Sequence, residues 1–145
     1  MHNQIPQLES ITGKELMELP IEPLEFSIAE ILPHGLFILS GSPKIGKSWL
    51  ALDMCHTVAT GSALWDYPAT QGDALYLALE DKQARLQERL KKMLDAEGLT
   101  ASDHIHFVTK VAKLGEGLSE QLNDFLDAHP QTKLVVIDTR SSGNA

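Results

Sequence analysis

Cysteine is nearly missing from this chain of 145 residues, where Cys55 stands alone. One cysteine closes no intramolecular disulfide, and it offers no Cys-based metal site of the usual spacing. Basic charge is also short: 12 Lys and Arg face 20 Asp and Glu, a formal net charge of −8. A global field of that sign does not favour a nucleic-acid polyanion, although it leaves room for a local basic groove. Long apolar runs are absent too. The longest are strand-sized, too short to span a bilayer, so no membrane partner is expected. Residues Met1 to Pro6 lack the charged and apolar regions of a signal peptide, and the cytoplasm is the expected compartment. No repeat or low-complexity tract is visible. With 43% hydrophobic residues, the chain has apolar material for one sizeable core, as suits a single domain.

The pattern along the chain divides in two. Residues 1–33 carry Pro6, Pro20, Pro23 and Pro33, with room for one short helix around 12–17. Their many Leu and Ile residues predict an irregular lead-in packed on a core. Residues 34–145 are more regular. Leu36-Phe37-Ile38-Leu39 predicts a strand buried on both faces. Lys47 to Thr60 predicts a helix, with Leu50, Met54 and Val58 on one stripe and Gly61 as its stop. Ala74–Leu79 predicts a second strand. Lys82 to Glu97 predicts a helix ended by Gly98, and Ile105–Val108 a third strand. Leu118 to Ala128 predicts a third helix, and Leu134–Ile137 a fourth strand ending on Asp138. Buried strands alternating with helices predict an α/β fold of three layers, with a mostly parallel sheet between flanking helices. In such sheets ligands sit beyond the carboxyl ends of the strands. Ser40, Glu80 and Asp138 are the polar residues at those ends.

One motif carries chemistry. Gly41-Ser42-Pro43-Lys44-Ile45-Gly46-Lys47-Ser48 fits the spacing G-x-x-x-x-G-K-[ST], with a predicted strand before it and a predicted helix after it. Glycines let the backbone curl close to phosphate oxygens. Successive N–H groups then form an anion nest, and the helix start adds its positive dipole end. Lys47 is expected to bring a mobile charge to the β and γ phosphates, and the Ser48 hydroxyl to ligate magnesium. Trp49, next in the helix, lies near the nucleotide or packs. Asp138, ending an apolar strand, has the position of the acidic residue that supports Mg²⁺. Glu80 is placed to orient and deprotonate an attacking water. Asp81 is suited to cap the following helix. The motif therefore predicts ATP with Mg²⁺ as ligand.

The segments Leu32–Asp53, Ala74–Asp81 and Leu134–Thr139, together with Arg85-Leu86 and Arg89-Leu90, resemble the RecA-like P-loop ATPases of the RepA-type hexameric helicase group. The resemblance covers roughly residues 20 to 140. It implies ATP hydrolysis coupled to movement on DNA in replication or repair. The implied phosphate and Mg²⁺ ligands are Lys47 and Ser48, with Glu80 activating water and Asp138 supporting the metal. It also implies a homo-oligomer, a hexamer in the parent family, with single-stranded DNA as a partner. In that family a γ-phosphate sensor, DNA-contacting loops and an arginine finger come after the Walker B strand. Here the sequence stops at Arg140–Ala145, so the sensor and finger are expected to be missing. A strand from that later part normally separates the P-loop strand from the Walker B strand, which predicts a gap in this sheet.

Two other readings compete: a nucleotide-binding or self-association module with little hydrolysis, and a small-molecule P-loop kinase. The second needs an Arg-rich lid, and no such segment is seen. His104 and His106 share a strand face but lack further ligands at zinc spacing. Arg85, Arg89 and Lys92 line one helix face, read as solvated among Glu88 and Asp95.

Overall fold

A computed structural model describes residues 5–42, 44–79 and 81–139 of the chain. A short helix α1 (Gly13–Glu18) is closed by a capping box in which Thr12 and Glu15 exchange hydrogen bonds. Two small antiparallel pairs flank the main helix in the chain: β1 (Phe26–Ile28) with β2 (Leu32–Pro33), and β3 (Ala63–Leu64) with β4 (Tyr67–Pro68). The rest alternates: α2 (Lys47–Thr60), β5 (Asp73–Ala78), α3 (Gln83–Glu97), β6 (Ile105–Val108), α4 (Leu118–Ala128) and β7 (Thr132–Asp138). The last three strands form a parallel sheet in the order β6-β5-β7. The predicted α/β class with helices flanking a parallel sheet is what the chain adopts.

The alternation of β5 explains the layers. Ala74, Tyr76 and Ala78 face Ala51, Leu52, Cys55 and Ala59 of α2 and Leu86, Met93 and Leu94 of α3. Leu75 and Leu77 point the other way, against Leu118, Leu122 and Phe125 of α4. Both faces are covered, which is why β5 reads as a continuous apolar run. A third cluster, Ile28, Val58 and Leu64, fastens the small hairpins to the flank of α2.

Three expectations change. Among the described residues the lead-in packs on the core through Ile28, Ile31 and Leu32; residues 5–25 are exposed, and α1 buries none of its residues. Asp81 does not cap α3. Lys82 occupies that position without a side-chain cap, and Asp81 turns to Arg89 at 3.0 Å and Arg85 at 3.6 Å. The arginine face is thus partly committed to an ion pair. The third change is the largest. Leu36-Phe37-Ile38-Leu39 forms no strand, and Leu36 and Ile38 are 95% and 90% exposed. Apolar composition favours a strand, but a strand exists only where a ladder receives its N–H and C=O groups. Among the described residues, β7 pairs with β5 alone and its other edge has no neighbour. The first predicted strand is therefore not formed, and among the described residues the sheet ends at β7.

At the opposite end of the sheet, Asp73 opens β5 and holds His104 Nδ1 at 2.9 Å, with His106 Nε2 at 3.6 Å. Desolvation acts to raise the Asp73 carboxyl pKa, but the His104 and His106 rings outweigh it and leave the value lowered.

Two measurements check this arrangement. In chemical denaturation, Leu75→Ala should cost about 2–5 kcal/mol. Ile38→Ser should cost less than about 0.5 kcal/mol. Equal losses would place residues 36–39 in the core. Asp73→Asn should destabilise the chain near neutral pH. A depressed carboxyl pKa contributes stability above its ordinary value of 3.8, and that stability is lost as pH falls through the folded value. The gap to wild type should therefore close in acid below that value; a gap unchanged at lower pH contradicts the clamp.

Candidate functional site

The loop and the start of α2 make the first half of the site. Gly46 precedes the helix at φ 97°, in the left-handed region that glycine alone enters at little cost. No side chain caps α2 there, so its first N–H groups keep their capacity for an external acceptor. At Gly41 a Cβ would meet only the far end of the exposed Ile45 side chain, which can move aside. Lys44 also sits at positive φ, 66°. The Lys47 ammonium folds back and donates to the Gly41 carbonyl at 2.6 Å. That contact holds the cation over the loop, where an incoming phosphate would meet it. Ser42, Lys44, Ile45 and Trp49 are exposed around this edge. Pro43 lies outside the described residues.

The second half comes from the sheet. Asp138 ends β7 opposite Ala78, and the Leu79 N–H donates to the Asp138 carbonyl at 3.2 Å. The two strands thus deliver their carboxyl ends together. Ser48 Oγ donates to Asp138 Oδ2 at 2.8 Å, joining residues 90 positions apart in sequence. Helix α2 packs on β5 through the shared apolar cluster, and its first turn reaches the end of β7.

A third residue meets the same carboxylate. The Tyr76 hydroxyl, from the middle of β5, also donates to Asp138 Oδ2. Desolvation first, and then the hydrogen bond and charge of Asp138, push the phenol far above its ordinary pKa, so it stays a donor. By sequence pattern Tyr76 is only one member of an apolar strand, and it was not among the predicted site residues. A signal was available, since a tyrosine between aliphatic neighbours in a buried strand must find a partner for its hydroxyl.

Of the predicted site residues, the structure brings together Gly41, Gly46, Lys47, Ser48 and Asp138. Glu80 lies outside the described residues, directly after Leu79 in the chain. Ser40 is exposed and belongs to no strand. Ser48 and Asp138 offer one hydroxyl and one carboxylate, hard oxygen donors of the kind Mg²⁺ takes alongside phosphate oxygens and water. Two surface depressions, of about 310 and 150 Å³, lie elsewhere; residues 41–48 and Asp138 line neither. No described helix is long and apolar enough to cross a membrane.

The sequence profile of one family, described as an AAA domain, matches residues 4–144. No curated protein and no solved structure matches the chain.

Proposed function

The chain belongs to the AAA domain family, a family of nucleotide-binding ATPases, and from that premise we propose that it binds ATP as its magnesium complex at the edge formed by the phosphate loop and Asp138. One observation supports this above the others: Ser48 and Asp138 meet at 2.8 Å although nothing in the sequence links them except the chemistry they would share. On this reading the N–H groups of residues 41–48 cradle the phosphates, and Lys47 leaves the Gly41 carbonyl to neutralise the β and γ oxygens. Ser48 and Asp138 hold the cation, which when bound offsets the charge of the phosphates. Glu80 orients the attacking water; this role rests on its position after the strand. The RepA-type resemblance supports a parent activity of DNA translocation or unwinding by a ring of subunits in the cytoplasm.

A second reading, nucleotide binding with little turnover, is favoured by one specific feature. Residues 36–39, which lead into the loop, are not held in a sheet. A loop anchored at only one end is poorly preorganised for a transition state, while ground-state binding tolerates such freedom.

Titration with a fluorescent ATP analogue should show affinity that Lys47→Ala lowers at least about tenfold, as for a lost charged contact to phosphate. Equal affinity in the two proteins removes Lys47 from its role. Phosphate release stimulated by single-stranded DNA supports the helicase parentage; tight binding without release supports the binding module.

A further inference from the structure

Tyr76 is buried, with only 1% of its surface exposed, yet neither phosphate binding nor water activation calls on it. Its ring lies among Ala51, Leu52 and Cys55 of α2 and stands 5.8 Å from Phe107 of β6, tilted by 50°. Register places it beside Val136, two residues before Asp138 on the same face of the sheet. From there its hydroxyl reaches forward to Asp138 Oδ2. Ser48, from the first turn of α2, donates to the same oxygen. Among the described residues, both hydrogen bonds to this carboxylate fall on Oδ2. An aspartate at a strand end, partly exposed and without such partners, would sample several rotamers. Two donors on one oxygen select a single orientation and leave Oδ1 available.

We propose that Tyr76 is a positioning residue, one that orients the Asp138 carboxylate toward the divalent cation that accompanies the nucleotide. This rests on the reading of Ser48 and Asp138 as the cation's protein partners. Tyr76 itself touches neither nucleotide nor metal. Its ring is braced between α2, β5 and β6, so the orientation of Asp138 is tied to the packing of the core. Phenylalanine fills the same space and removes only the hydroxyl.

The test is the ratio of affinities for a nonhydrolysable ATP analogue measured in Mg²⁺ and in EDTA. Tyr76→Phe should reduce that ratio about fivefold or more, as for one lost hydrogen bond to a charged group. Tyr67→Phe, at the exposed tyrosine, should keep the wild-type ratio. Asp138→Asn separates the metal site from its positioning. If Asp138→Asn keeps the full Mg²⁺ enhancement, the metal reading of the site falls. If it loses the enhancement while Tyr76→Phe keeps it, only the positioning role falls. Should Tyr76→Phe fail to fold, the wild-type protein labelled with 3-fluorotyrosine carries the test. Its Tyr76 resonance should move when Mg²⁺ is added to the analogue-bound protein and stay still in Asp138→Asn; a resonance that does not move in wild type overturns the proposal.

Discussion

The hydrogen bond from Ser48 to Asp138 ties the first turn of α2 to the last residue of β7, and most of the architecture can be traced from it. It crosses 90 residues of chain. The helix must therefore lie against the sheet with its N-terminus at the carboxyl edge, where no side chain caps its first N–H groups. The apolar surface of α2 supplies the bulk of the attraction, through Ala51, Leu52, Cys55 and Ala59 against Ala74, Tyr76 and Ala78. That burial is not directional. The polar contact at the helix start fixes how far α2 can slide along the strands, and so where the phosphate loop comes to rest.

A consequence is that helix α2, on the C-terminal side of the phosphate loop, places it more firmly than residues 36–39 on the N-terminal side. Those four residues contribute no ladder, and the outer edge of β7 is unpaired among the described residues. Such an edge, with Ile137 about half exposed beside it, is a template for another strand. The binding half of the site, in the helix and at Asp138, is braced by the core; the approach to it is not. This division matches the proposal that binding survives better than turnover.

Legibility of the fold from the sequence divides in the same way. Helices α2 and α4 have the predicted bounds, because Gly61 and the spacing of Leu118, Leu122 and Phe125 are local signals. Strand β5 is legible because both its faces are covered. Residues 36–39 mislead because an apolar run reports preference, while a strand also needs a partner that composition does not reveal. Asp81 suits a cap by position alone, yet two arginines one and two turns along the helix compete for it. In the site, the loop and Asp138 are visible as motif and strand end. Tyr76 is not, since its hydroxyl acts across the sheet at a distance in sequence that no local pattern records.

If this architecture is right, Ser48 and Asp138 are energetically linked before any ligand arrives. A double-mutant cycle of Ser48→Ala and Asp138→Ala, read by chemical denaturation of the nucleotide-free protein, measures that link. A coupling energy of about 1 kcal/mol or more is predicted. Additive losses, within about 0.3 kcal/mol, would contradict it, because the helix start would then be held by packing alone.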